Sequence, residues 1–194
     1  FAAAGGTGRV NLVDVAGGAR VTTLDTIKGG DTISGVSATQ DVCLDIVGGD
    51  LTIDENINAG TIAALKSTGN IASNATTTAA SKVSVESTGG GVSDGNGATN
   101  NFVADQVVLK ADGNIGSKTD AVDIDSNTVA AQSVSGEVNL NETSGDMNLG
   151  DIALEKNGGT INNITAGTDI CLTADDGTVN YSGRTIQAGN EIAI

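Results

Sequence analysis

With no histidine in the chain, the candidates for chemistry are two thiols and several groups of carboxylates. Cys43 sits in DVCLDI and Cys171 in DICLTA, each between two aliphatic residues (Val42 and Leu44; Ile170 and Leu172). In an extended strand, alternate side chains point to opposite faces. If the aliphatic neighbours face a core, both thiols face outward, where they could cross-link neighbouring chains; the plainer reading is a free thiol copied along with a repeat. Asp120, Asp123, Asp125 and Asn127 form one oxygen-rich group, and Asp94, Asn96 and Asn100 another. A hard cation such as Ca²⁺ takes six to eight oxygens, and neither the EF-hand loop spacing nor the nonapeptide Ca²⁺ repeat is present. In a strand, Asp123 and Asp125 would flank inward Val122 and Ile124 on the solvent side. The expectation is therefore solvated charge, no cofactor, and at most weak divalent-cation binding.

Paired carboxylates can act as general acid and base without histidine. Here the acids recur along the chain instead of gathering at one place, and only Arg9, Arg20 and Arg184 could hold an acidic sugar. The Asp, Asn and Gly groups are better explained as turn formers, which tolerate φ > 0 or cap bends with their side chains. A catalytic role is not expected. Thr76, Thr77 and Thr78 alternate between faces and make no threonine ladder.

The elements that position these residues follow from composition. The 194 residues carry 9 basic against 24 acidic side chains, a formal net charge of −15. Such a surface repels phosphate, so nucleic acid and anionic lipid are not expected partners. No run approaches the ~18 apolar residues that span a bilayer. Glycine is abundant (28), proline and tryptophan are absent, and the aromatic residues are Phe1, Phe102 and Tyr181. Short alternating runs rich in Val, Ile and Thr, closed by Gly, Asn and Asp, read as strands and turns. The chain should be all-β, with a narrow core of stacked aliphatic residues. Having no proline fits coils whose N–H groups all pair with neighbours.

A short phrase recurs: apolar, any residue, apolar, then Gly about seven positions after the first. It starts at Val10, Val42, Ile62, Val83, Val107, Val138 and Ile170, and Ile192 with Ile194 opens another copy. Each phrase reads as a strand, a bend and a second short strand, exemplified by Leu51 with Ile53, Ile71, Val92, Ile115, and Val179 with Tyr181. One such unit cannot bury its apolar face alone, whereas stacked units share a continuous core. The expected fold is a parallel β-helix (β-solenoid) of about seven to eight coils, roughly 35–40 Å long at ~4.8 Å per coil. Inward residues should include Val42, Leu44, Ile62, Val83, Val85, Val107, Leu109, Val138, Leu140, Ile170 and Leu172. The short intervals, the three between Val42 and Val107 and the one from Ile170 to Ile192, each suit one coil. The long ones (Val10 to Val42, Val107 to Val138 and Val138 to Ile170) need either an extra strand or a protruding loop.

Above this lies a longer period. Residues 10–50 align without a gap on 138–178, with 13 of 41 pairs identical, among them Asn11/Asn139, Lys28/Lys156, Ile33/Ile161 and Cys43/Cys171. One copy of this super-repeat occupies 10–137, and a partial one 138–194. The chain is thus expected to be a single continuous solenoid segment, 1–194, from the interior of a longer tandem-repeat protein. Five intervals separate the cysteines, so they should lie roughly 24 Å apart at ~4.8 Å per coil. A disulfide needs Cα atoms within about 7 Å, which excludes a bond between them.

The runs GGGVSDGNGATNNFVADQVVLKADGNIG and NTVAAQSVSGEVNLNETSGDMNLGDI resemble the repeat regions of large bacterial filamentous-haemagglutinin-like and β-strand-repeat exoproteins, the adhesins. The resemblance implies a right-handed parallel β-helix, an extracellular or bacterial cell-surface location, and a role in adhesion, coating or cell–cell contact. It carries no active-site residue onto this chain. The expected function is a rigid repetitive fibre that associates with itself or with neighbouring chains. The alternative is a glycan- or receptor-binding module using loops near 94–101 and 117–133, with a carbohydrate-active enzyme behind both.

Overall fold

A computed structural model describes residues 1–25, 31–156 and 159–194. Lys28 of the Lys28/Lys156 pair lies outside the described residues. The chain is all-β, without a helix among the described residues, and hence without one long and apolar enough to cross a membrane. Parallel strands stack coil on coil into a β-solenoid of about seven turns.

Three stacks of in-register positions run the length of the molecule. The first joins Val10, Val42, Ala63, Val83, Val107 and Val129. The second joins Ala19, Leu51, Ile71, Val92, Ile115, Val138, Ile170 and Ile192. The third joins Ala3, Val36, Ile57, Thr77, Phe102, Ile124, Glu142 and Ala174. One turn is therefore three strands joined by bends, and their inward side chains fill a core narrow enough that Phe102 is the single aromatic fully inside it. The strand Val42–Ile46 shows the alternation that builds this core: Val42, Leu44 and Ile46 are fully buried, Cys43 and Asp45 half-buried.

One bend recurs after the first stack. Ser67, Ser87 and Ser133 are buried at the strand ends, and each donates its hydroxyl to a glycine carbonyl one turn below (Gly49, Gly69 and Gly113). Each hydroxyl also accepts an N–H, from Gly69, Gly90 and Gly136 respectively. The recurrent glycine of the sequence phrase sits here because adjacent bends stack backbone on backbone. A Cβ on Gly49 would lie 2.4 Å from the Gly17 carbonyl carbon, inside van der Waals contact.

The structure corrects the inward list at one place. Ile62 is half-buried, and Ala63 and Leu65 occupy the core positions above Val42 and Leu44. Register is set by which residues fill the row, and a one-residue slip exchanges the faces of a strand. Here the run Ile-Ala-Ala-Leu lets Leu65, the larger side chain for the row of Leu12 and Leu44, decide the phase. The other inward residues named from sequence are buried. Of the second short strands, Val179 pairs with Met147 instead of joining the second stack, and Tyr181 is exposed.

The long intervals have two different causes. Between Val10 and Val42, and again between Val138 and Ile170, an antiparallel hairpin leaves the coil: Thr23–Asp25 with Thr32–Ser34, and Asp151–Ala153 with Thr160–Asn162. The two correspond pair for pair in the super-repeat, Leu24↔Ile33 matching Ile152↔Ile161. Both re-enter the coil through a left-handed residue, Gly35 (φ 68°) and Asn163 (φ 60°). Asn is one of the few side chains that adopts that conformation readily, which explains why the second copy dispenses with glycine.

The interval from Val107 to Val138 is not a single coil. Val107 stacks on Val129, whereas Val138 lies on Ile115 in the second stack. Val10 and Val138 are equivalent in sequence yet belong to different stacks. The super-repeat therefore advances five whole turns plus one side of the coil.

Candidate functional site

The outward side of the strands carries the polar chemistry. Cys43 stands in register between Asn11 and Ala64, and Cys171 between Asn139 and Ala193. Each thiol is thus stacked beside an asparagine one turn below, as the super-repeat requires, but the two lie on different stacks several coils apart. Both are free and half-buried. Burial pushes the Cys43 thiol up, and Asp41 and Glu155 add to this; Lys156 and Arg9 oppose it. The thiolate is the nucleophile, so Cys43 should alkylate slowly with iodoacetamide near pH 7.5 and accelerate as pH rises beyond the ordinary thiol range. A Cys43 rate equal to that of an unhindered peptide thiol at pH 7.5 would contradict this environment.

A charge ladder runs beside Cys43. Asp45, Lys66, Glu86 and Lys110 stack in successive turns, alternating in sign. Glu86 is 2% exposed and takes an ion pair from each neighbour, at 3.5 Å to Lys66 and 3.3 Å to Lys110. Alternation suits a parallel ladder, because directly stacked like charges repel. The same outward strip is covered further on by the second hairpin. Ile152, Leu154 and Ile161 pack on Val108 and Ala130 to form a small separate apolar cluster. Lys82 donates to the Ala153 carbonyl and pairs with Glu155, the Glu155 N–H donates to Ser84, and Lys156 lies 4.0 Å from Asp45.

The acidic groups named from sequence are redistributed by the fold. Asp120 and Asp123 join Asp94 and, from a later coil, Asp175, around a cleft of about 420 Å³ also lined by Lys118 and Asn141. Asp125 and Asn127 lie in another depression, where Asn127 donates to Asp105. Asn96 and Asn100 are taken up by hydrogen bonds within the protein: the Asn96 N–H donates to Asp94 in the same loop, and Asn100 accepts from Thr143 of a later coil. Asn101 is fully buried and ties this loop down, donating to Ser73, Asp94 and Asn96 and accepting the Asp123 N–H.

Asp123 is the correction here. It is 7% exposed, not solvated. Burial raises its pKa, a hydrogen bond from Asn141 opposes this, and Asp94, Asp175 and Asp120 add to the rise. Asp120 is also raised, first by desolvation and then by Asp94. Crowding of negative charge disfavours the ionised forms of Asp120 and Asp123 and draws in cationic groups. Among the described residues, however, no three His, Cys, Asp or Glu side chains are placed to hold a metal ion. The loop assignment is corrected too: 122–133 is the long strand Val122–Ser133, and only 117–121 leaves the coil.

Sequence reasoning missed Glu142. It follows Val138 and Leu140 on the inward side of Val138–Glu142 and is 0% exposed. It accepts hydrogen bonds from the Ser126 N–H (3.1 Å) and hydroxyl (3.1 Å). Burial dominates and lifts its pKa to about 7. The sequence signal was available, since Glu142 holds an apolar phase position in VNLNE. Comparison with protein-family models, curated proteins and solved structures returns no match to this chain.

Proposed function

We propose that this chain is a rigid repetitive rod of an extracellular or bacterial cell-surface fibre, acting in attachment, coating or cell–cell contact and not in catalysis. The observation that carries this reading is the unbroken stacking of inward positions over about seven turns. Every coil is hydrogen-bonded to the next, so the segment resists bending and transmits force along its axis. With most of the acidic side chains outside the core, the net charge of −15 keeps such β-rich rods from fusing side by side. The resemblance to filamentous-haemagglutinin-like exoproteins supports the same role. In the fibre, the half-buried thiols of Cys43 and Cys171 are the groups for contacts between neighbouring chains. Cryo-electron microscopy of the intact parent assembly tests this. Continuous rods with ~4.8 Å axial spacing, packed against identical neighbours, are expected; compact isolated particles would overturn it.

A second reading rests on the cleft between loops 95–100 and 117–121. Its carboxylates and the exposed ammonium of Lys118 offer hydrogen bonds to sugar hydroxyls, which would make the rod carry a glycan-binding site. Glycan-array binding that disappears in Lys118→Ala would favour it.

A further inference from the structure

The two hairpins correspond in the super-repeat and in strand pairing, yet among the described residues only one has a seat. In the second, Ile152 (2% exposed), Leu154 (4%) and Ile161 (6%) lie on the outward side chains Val108 and Ala130, and Glu155 and Lys156 pair with Lys82 and Asp45. That hairpin folds back over coils that precede it. In the first, Leu24 is 48% exposed and Ile33 half-buried. Its base is well fixed: Thr23 and Ser34 both donate to Glu55, Thr32 donates to Asp25, and Gly35 donates to Thr22. A hairpin this firmly anchored, with an apolar side chain left in water, has the form of a docked element without its partner.

The super-repeat identifies the partner. Moving the seat of the second hairpin back by one super-repeat puts Ala130 on Ala2, which this chain supplies, half-buried, beside the first hairpin. The counterparts of Val108 and Ser84 fall ahead of Phe1. We propose that the strand pair Thr23–Asp25 and Thr32–Ser34 is a clasp between super-repeats, with Leu24 and Ile33 seated on preceding coils equivalent to residues 66–128. Those coils would present an outward row of small side chains like Ser84 and Val108. The proposal rests on the rod reading above, because it requires coils of the same kind to continue the stack.

The test lengthens the chain, placing a copy of residues 66–128 directly ahead of Phe1, in phase with the super-repeat. In a Cys43→Ser, Cys171→Ser background, Leu24→Cys is labelled with a maleimide in the original and lengthened chains, with Ile152→Cys as the seated control. Labelling of Leu24→Cys is expected to be fast in the original chain and at least about tenfold slower in the lengthened one, approaching Ile152→Cys. Rod length by electron microscopy should grow by about three coils at ~4.8 Å each. If the rod lengthens but labelling stays fast, the clasp is wrong and the rod reading survives. If the added coils do not stack and labelling stays fast, both fall. Slow, concentration-dependent labelling in the original chain would make a second rod the occupant and likewise overturn the proposal.

Discussion

Phe102→Ala should lower the stability of the solenoid by about 3–5 kcal/mol, the range for removing a fully buried aromatic side chain. Phe102 is the largest wholly buried side chain and lies in the third stack between Thr77 and Ile124. The neighbours above and below are held by main-chain ladders, so they cannot move in to fill the space, and a poorly collapsing cavity puts the cost at the upper end. In a solenoid each coil contacts only its neighbours, and total stability is close to a sum of nearest-neighbour terms. The loss should therefore split the unfolding transition. In urea followed by circular dichroism and by exchange of individual amides, coils near Phe102 should open before those around Val42 and Leu65. A single unshifted transition would refute this.

The second large effect is one of pH and belongs to Glu142. Its folded pKa is about 7, above the ordinary 4.5, because the carboxyl is buried in the core row. Between these values the folded chain holds a proton that the unfolded chain has released. Stability contributed here is complete below about pH 4.5, falls as pH rises, and is gone above about pH 7. At 1.36 kcal/mol per unit the whole span is about 3 kcal/mol. Asp123, also raised, acts in the same direction. Asp54 and Asp146 act oppositely: Arg20 lowers the first and Thr178 the second, so their contribution is lost only as pH falls through the acid range. Glu142→Gln keeps an oxygen for the Ser126 N–H and removes the titration. Its stability should match the parent chain's near pH 4 and exceed it by about 2–3 kcal/mol at pH 8. Parallel profiles for the two chains from pH 4 to 8 would disprove the assignment.

The fold was readable in the sequence because its main device is periodic. Val42, Val83 and Val107 recur at coil spacing, and their alternation with polar residues fixes both strand and inward face. The phase failed at Ile62 because Ile-Ala-Ala-Leu is apolar at every position and only the row above and below chooses between Ile62 and Ala63. The winding of the super-repeat was hidden for a similar reason. The interval from Val107 to Val138 records distance along the chain but not which side of the coil has been reached. The acidic cleft depends on chain-distant partners: Asp175 meets Asp123 only because the coils stack, and no local spacing announces it. Glu142 was readable by phase alone, since a carboxylate in an apolar row has nowhere to go but the core.

The advance of five turns plus one side per super-repeat has a consequence for any longer array built on it. Had the repeat closed on a whole number of turns, every hairpin would project from one flank, leaving the others as flat, uniform β-surfaces. With the extra third of a turn, successive hairpins climb around the axis like the steps of a spiral stair. Three super-repeats bring the pattern back to its starting flank, and no flank stays bare for longer than that. Sheet-on-sheet zippering between rods needs long, flat, matching surfaces. A stair of hairpins interrupts every such surface at regular heights, so contacts between rods are confined to the spaces between steps.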